Sequence, residues 1–155
     1  MADAPSQLHQ FIAKFSPENQ RLIRAVRTKL RARFPAAYEI VYDNYNFFVI
    51  GFSPTERPLD SIVSLTANAN GVGLCFIRGA TLKDPDGVLL GAGNQTRFIR
   101  LPRATVLDEQ PVVRLLAAAE AQSKKPFAGR GRLIIRSVAK KQRPRRKEAA
   151  GANKA

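Results

Sequence analysis

The sequence predicts an α+β fold, a two-layer sandwich in which helices pack on one face of an antiparallel sheet. Residues 38–65 contain three short runs rich in Ile, Val, Phe and Tyr, which favour strands, with Asp, Asn, Ser and Pro at the breaks. Two helical patterns precede these runs and one follows the later strands. The links between successive strands are too short for parallel crossovers, so neighbouring strands are expected to be antiparallel.

The first two helices are predicted from apolar spacing and from their end signals. Apolar residues recur at helical spacing over Ser6–Phe15, and a longer helix starts with Ser16 as N-cap and Pro17 as its first residue. It ends before Pro35, because the residue preceding a proline is excluded from the α region. Its basic outer face is either a surface for phosphate or anionic membrane, or a solvated helix face; it consists of Arg21, Arg24, Thr28 and Arg31.

The later elements follow from turn signals and β-branched runs. The turn Asn68–Gly71 predicts an antiparallel hairpin between Ser61–Ala67 and Val72–Ile77. Gln95–Leu101 is predicted as a further strand, and Arg132–Val138 as a final edge strand or a docking arm.

A last helix is predicted from Asp108, as its N-cap, to about Gln122. Its apolar side consists of Val112, Leu115, Leu116 and Ala119.

The charge is concentrated in the last fifth of the 155 residues. Up to Ser123 there are 14 Lys and Arg against 11 Asp and Glu, a net of +3; from Lys124 onward there are 12 against 1, a net of +11. Residues 1–138 are therefore expected to form one domain and residues 139–155 a disordered basic tail. This tail either binds nucleic acid through counterion release or only aids solubility and weak adhesion to anionic surfaces; its cations are Lys140, Lys141, Arg143, Arg145, Arg146 and Lys147.

Several kinds of chemistry are excluded or left without support. With one histidine, His9, and one cysteine, Cys75, the chain cannot build the usual zinc site. A serine or cysteine triad is without support, because His9 lies on an amphipathic segment and no serine is surrounded by an elbow-type glycine motif. Glu39, Asp43 and Asp60 are carboxylates that could act as acid or base, but no spacing marks them, and the default interpretation is that they are solvated at the surface. No catalytic residue or cofactor is predicted. The chain has no signal-peptide pattern and no apolar run of about 20 residues, so a cytoplasmic protein without a membrane span is expected.

A glycine-rich turn precedes a group of arginines. Gly91 and Gly93 are followed by a predicted strand rather than a helix, which argues against a dinucleotide-binding loop. Arg97 and Arg100 then form either an anion-binding lip at a sheet edge or a solvated pair beside a tight turn.

The order of these segments resembles the YdhG-like family of small bacterial domains of unknown function. The resemblance rests on the opening LHQFIAKFSPENQRLIRAVRTKLRARFP, the strand EIVYDNYNFFVIGF, then VGLCFIRGATL and LLGAGNQTRFIRL. It implies an α/β sandwich with an antiparallel sheet. Some relatives are described as frataxin-like iron chaperones, which implies iron as an alternative ligand. The positions that match the family pattern are Tyr42, Gly91, Gly93 and Arg97, and with Arg100 they form the predicted pocket, although Tyr42 is equally explained as a core tyrosine.

These observations favour a non-enzymatic binding module. We expect the domain to recognise a small anion or a protein partner, and the basic C-terminal segment to attach weakly to nucleic acid or another anionic surface. An intracellular iron-binding role is the alternative.

Overall fold

The computed structural model describes residues 2–127 and 130–147, and it confirms the predicted α+β class. The helices in the described residues are α1 (Ala4–Ala13), α2 (Pro17–Arg33) and α3 (Gln110–Gln122). The strands are β1 (Tyr38–Asp43), β2 (Phe48–Ser53), β3 (Val63–Asn68), β4 (Gly71–Phe76), β5 (Arg97–Arg100) and β6 (Leu133–Val138). Short 3-10 turns lie at Pro58–Asp60, Gly79–Thr81 and Ala104–Asp108.

The six strands form one sheet in the order β5-β4-β3-β2-β1-β6. Neighbours from β1 to β5 are antiparallel, and the predicted hairpin is the pair β3–β4. The final edge strand is also confirmed, but β6 runs parallel to β1, so the expectation of a wholly antiparallel sheet is wrong at this edge. The reason is the length of the connection, because β2 to β5 and α3 all lie between the two strands and let the chain return in the same direction.

One face of the sheet forms the hydrophobic core with the helices. Across the strands, Val41, Ile50, Leu65, Leu74 and Ile99 are paired in register and are all buried. They belong to a single apolar cluster with residues of all three helices, including Leu8, Ile12, Val26, Leu30, Leu115 and Leu116. The core therefore lies between the helical layer and this face, as the alternating pattern of the strands predicts.

Of the two N-caps predicted from the sequence, Ser16 and Asp108, the structure confirms the first. The Ser16 hydroxyl accepts a hydrogen bond from the Asn19 backbone N–H, 3.2 Å away, and Pro17 begins α2 as expected. The first helix begins earlier than predicted, because the Asp3 carboxylate accepts from the Ser6 N–H instead. Asp108 does not cap α3; it ends the preceding 3-10 turn, and its carboxylate accepts from Lys29 at 2.7 Å.

The described part of the C-terminal segment, residues 139–147, packs on the domain. The Ala139 N–H donates to the Asp43 carbonyl and the Arg143 N–H to the Tyr45 carbonyl, both at 2.8 Å, and Arg145 is only 4% exposed. The prediction of a disordered tail is therefore wrong for residues 139–147. It was based on composition, which does not show that Arg145 has a buried partner, Asp43. Residues 148–155 lie outside the described residues.

The connection into β6 passes very close to the chain before β1. A Cβ atom added at Gly131 would lie 1.9 Å from the Ala37 carbonyl oxygen. The carbonyl of Arg132, which follows Gly131, accepts from the Glu39 N–H at 3.0 Å. This position therefore requires glycine so that β6 can pair with β1.

We predict that Gly131→Ala lowers the free energy of unfolding by about 1–3 kcal/mol, because the backbone must move to admit the methyl group. Gly93→Ala is the matched control, since no atom lies within 4 Å of an added Cβ there. Urea unfolding of both variants is the measurement. Equal stability of the two variants would contradict the close approach at Gly131.

Candidate functional site

Two buried carboxylates lie on the core-facing side of β1. Glu39 and Asp43 are placed opposite Phe52 and Phe48 of β2 and are 7% and 0% exposed. They are four residue steps apart along the strand, or about 13 Å, so they do not form a carboxylate pair for acid–base chemistry. Burial of an ionised carboxylate requires a charged or hydrogen-bonding partner, and each of the two has its own set.

Asp43 joins the end of α1 to the C-terminal segment. Its Oδ2 accepts from Lys14 Nζ and its Oδ1 from Arg145 Nη2, both at 2.8 Å. The Gln142 amide donates to the Asp43 carbonyl, also at 2.8 Å. Arg145 further donates to the Asn44 carbonyl, and its guanidinium lies 6.0 Å from the ring centroid of Phe15. This cluster is therefore a structural connection rather than an open binding site.

The balance of forces at Asp43 lowers its pKa. Burial acts to raise the pKa, but hydrogen bonds from Lys14, Gln142 and Arg145, with the charge of Lys14, together outweigh it. The carboxylate consequently stays ionised in the folded protein at a pH where it would already be protonated in the unfolded chain.

Glu39 lies at the floor of a groove between α1, α2 and the β1–β6 edge. The groove has a volume of about 610 Å³, within the range of small-molecule sites. Its apolar walls include Pro5, Leu8, Ile12, Phe34, Phe52 and Leu133. Its polar lining includes His9, Arg24, Arg27, Thr28, Arg31, Glu39 and Arg132.

Positive charge exceeds negative charge in this groove. Arg27 forms a two-point pair with Glu39, Nε to Oε2 at 2.6 Å and Nη2 to Oε1 at 3.0 Å. The same carboxylate is 3.5 Å from Arg31 Nε. One carboxylate thus faces four lining arginines, because Arg24 and Arg132 also contribute. The excess favours an anionic ligand.

The arginines differ in how firmly they are held. Arg24 Nη2 lies 3.2 Å from His9 Nδ1, a nitrogen to which the guanidinium can donate. The side chain of Arg31 is 61% exposed, and Arg132 pairs at the rim with Glu56. Arg27 is fixed and neutralised, whereas Arg24 and Arg31 line the groove with donors that a ligand can reach.

The basic face of α2 identified in the sequence supplies part of this groove. Arg24, Thr28 and Arg31 line it, while Arg21 does not. The sequence did not indicate Arg27, Arg132 or Glu39 as members of the site. One sequence signal could have indicated Glu39. Glu39, Val41 and Asp43 are alternate residues of one strand, so the two carboxylates lie on the same side as a core valine.

The pocket predicted from Tyr42, Gly91, Gly93, Arg97 and Arg100 is not assembled. Tyr42 lies on β1 and Arg97 on β5, four strand spacings apart, or about 19 Å. Tyr42 is half-buried on the sheet face opposite the helices; burial raises its pKa, and the neighbouring Arg136 acts in the opposite direction. The prediction was wrong because the order in which the strands pair determines which of them are neighbours, and the sequence pattern does not give that order.

The glycine-rich turn and Arg97 do lie together, but in a structural role. Arg97 Nη1 donates to the carbonyls of Gly93 and Thr96, so it holds the turn that precedes its own strand. Gly91 adopts a φ of 116°, which an L-residue rarely occupies. Arg100 is exposed, 5.7 Å from the Phe98 ring centroid. Arg97 therefore fits the interpretation of a tight turn better than that of an anion-binding lip.

The cations of the C-terminal segment are divided between structure and surface. Arg145 is buried against Asp43, and Arg146 donates to the carbonyls of Lys14 and Ala13 at the end of α1, where cations are favoured by the helix dipole. Exposed positions are Lys140, Lys141, Arg143, Arg146 and Lys147.

Within residues 2–127 and 130–147, no group of three or more His, Cys, Asp or Glu residues is placed to hold a metal ion. None of the helices in the described chain is both long enough and apolar enough to cross a membrane.

Comparisons with family models, with curated proteins and with solved structures find no match to this chain.

We predict that Asp43→Asn lowers the free energy of unfolding at neutral pH by about 3 kcal/mol, because Arg145 is left buried without its counter-charge. A lowered folded-state pKa stabilises the protein fully above the unfolded value near pH 4, and this stabilisation is lost as the pH falls further. The difference between wild type and variant should therefore shrink below pH 4. Asp86→Asn, which removes an exposed partner of Arg114, is the control. Urea unfolding from pH 7 to pH 3 measures both; a pH-independent difference would contradict the assignment.

Proposed function

We propose that the protein is a binding module for a small anion that carries an apolar group, and that the groove between α1, α2 and the β1–β6 edge is its site. The observation that carries the proposal is the described lining of the groove, in which four arginines face a single carboxylate beside apolar walls. The arginines supply donors for a phosphate or carboxylate, and the apolar walls suit a hydrocarbon or aromatic portion of the same ligand.

The Arg27–Glu39 pair supports this interpretation because it organises the groove. Bidentate pairing fixes the Arg27 guanidinium and neutralises Glu39, so the carboxylate does not repel an incoming anion. Arg24 and Arg31, on the same face of α2, retain donors for the ligand.

The C-terminal cations form the second part of the proposal. Lys140, Lys141, Arg143, Arg146 and Lys147 are exposed on the domain surface and would add salt-sensitive attachment to nucleic acid or another anionic surface.

The other expectations from the sequence stay predictions. They are membership of the YdhG-like family, a cytoplasmic location, a protein partner and the alternative of iron binding. The carboxylates named above as possible acids or bases are also the candidates for holding iron under that alternative. Glu39 and Asp43 are paired with cations, and Asp60 accepts from the Thr55 hydroxyl. These contacts favour the anion proposal over the iron alternative.

The groove is tested with phenyl phosphate as the probe. We expect Arg24→Gln combined with Arg31→Gln to raise its dissociation constant about tenfold or more, because charge-assisted hydrogen bonds are lost. Arg21→Gln, on the same helix but outside the groove, should bind as wild type does. Isothermal titration calorimetry at low ionic strength is the measurement. Absence of binding to wild type, or an equal loss in both variants, would overturn the proposal.

Iron is tested separately by anaerobic titration with ferrous ion. We expect no saturable binding, because the candidate carboxylates are engaged by cations or hydroxyl donors. Saturable binding that Glu39→Gln or Asp43→Asn weakens would restore the iron alternative.

A further inference from the structure

The C-terminal segment brings cations beside two exposed aromatic side chains. Tyr45 and Phe47, in the loop between β1 and β2, are 43% and 44% exposed. The Arg143 guanidinium lies 5.6 Å from the Tyr45 ring centroid, and its Nε donates to Asn46 Oδ1 at 3.0 Å. The backbone bond from Arg143 to Tyr45 fixes the segment at this loop. Aromatic and cationic groups thus share one surface, although about 100 residues separate them in the sequence.

A shallow cavity adjoins these side chains. It has a volume of about 390 Å³ and lies between the β1–β2 loop, the β3–β4 turn and the C-terminal segment. Its described lining includes Asn46, Phe47, Asn68, Asn70, Arg143 and Arg146, and contains no Asp or Glu. We call this cavity, together with Tyr45, the loop platform.

Some polar groups of the loop platform already form hydrogen bonds within the protein. Asn46 Oδ1 accepts from Arg143, and Asn68 Oδ1 accepts from the Asn70 N–H at 2.9 Å. The Nδ2 groups of both residues are the donors that they can offer to a ligand. Amide donors beside aromatic rings suit the carbonyl and ring-nitrogen acceptors on the edges of nucleobases.

We infer that the loop platform binds single-stranded nucleic acid, with bases stacked on Tyr45 and Phe47 and phosphates near Arg143, Arg146 and Lys147. Stacking requires an unpaired base, whereas a duplex presents only its backbone and groove edges to such a surface. The cations, in a cavity whose described lining holds no Asp or Glu, supply the charge complementarity. The inference rests on the attachment part of the proposed function and is independent of the groove, which lies at the opposite end of β1.

The test uses the full chain and fluorescence anisotropy with a labelled oligothymidylate of about 12 nucleotides. The combined variant Tyr45→Ala and Phe47→Ala should lose about tenfold or more in affinity for this strand and less than about twofold for a duplex of equal length. Leu59→Ala is the control, since Leu59 is 72% exposed and does not line the platform. Circular dichroism and urea unfolding establish that the variant is folded.

A second pair of variants tests the cation. Arg143→Gln should weaken binding of the single strand, whereas Arg100→Gln should not, although both arginines lie at a similar distance from an aromatic ring. The affinity should also fall steeply with added salt.

Different failures overturn different statements. Failure to bind either an oligonucleotide or phosphatidylserine vesicles at low salt would overturn both the attachment proposal and this inference. Equal affinity for single strand and duplex, or unchanged single-strand binding by the aromatic variant, would overturn this inference alone. Binding to phosphatidylserine vesicles but not to the oligonucleotide would assign the cations to a membrane surface instead and would also overturn it. Failure of phenyl phosphate to bind in the groove would leave this inference standing.

Discussion

The two carboxylates on the core-facing side of β1 constrain how the protein is assembled. Each is buried where the strand pattern would otherwise place an apolar residue, so each must be met by cations from another element. Glu39 forms an ion pair with Arg27 of α2. Asp43 forms ion pairs with Lys14 at the end of α1 and with Arg145 of the C-terminal segment. The positions of both helices and of the chain end relative to the sheet are thereby linked to one strand.

The two proposed binding surfaces follow from these two anchors. At Glu39, pairing with Arg27 neutralises the only acid that lines the described groove, and the other arginines are left in excess. At Asp43, pairing with Arg145 holds the C-terminal segment against the β1–β2 loop, where Arg143 meets Tyr45. The same physical requirement, neutralisation of a buried charge, therefore organises the arginine-lined groove at one end of β1 and the aromatic surface at the other.

Much of the fold could be predicted because its signals are local. Apolar periodicity indicated the three helices, Ser16 and Pro17 marked the start of α2, and Asn and Gly marked the β3–β4 turn. The parallel edge at β6 could not be predicted in this way, since pairing between β1 and β6 depends on contacts more than 90 residues apart and on glycine at position 131. The predicted pocket failed for the same reason, because strand order places Tyr42 far from Arg97.

The sequence by itself determined the fold class, the apolar face of each helix, the presence of only one histidine and one cysteine, and the concentration of charge from Lys124 onward. Those properties depend on residue type and short-range spacing. Only the tertiary structure decided where the charge acts: Arg145 is buried, Arg146 lies at the end of α1, and Arg143 lies against an aromatic ring. The composition gives the number of cations but not their partners. The partners of a buried carboxylate such as Asp43 come from a helix and from the chain end, and only the folded structure brings these to the strand.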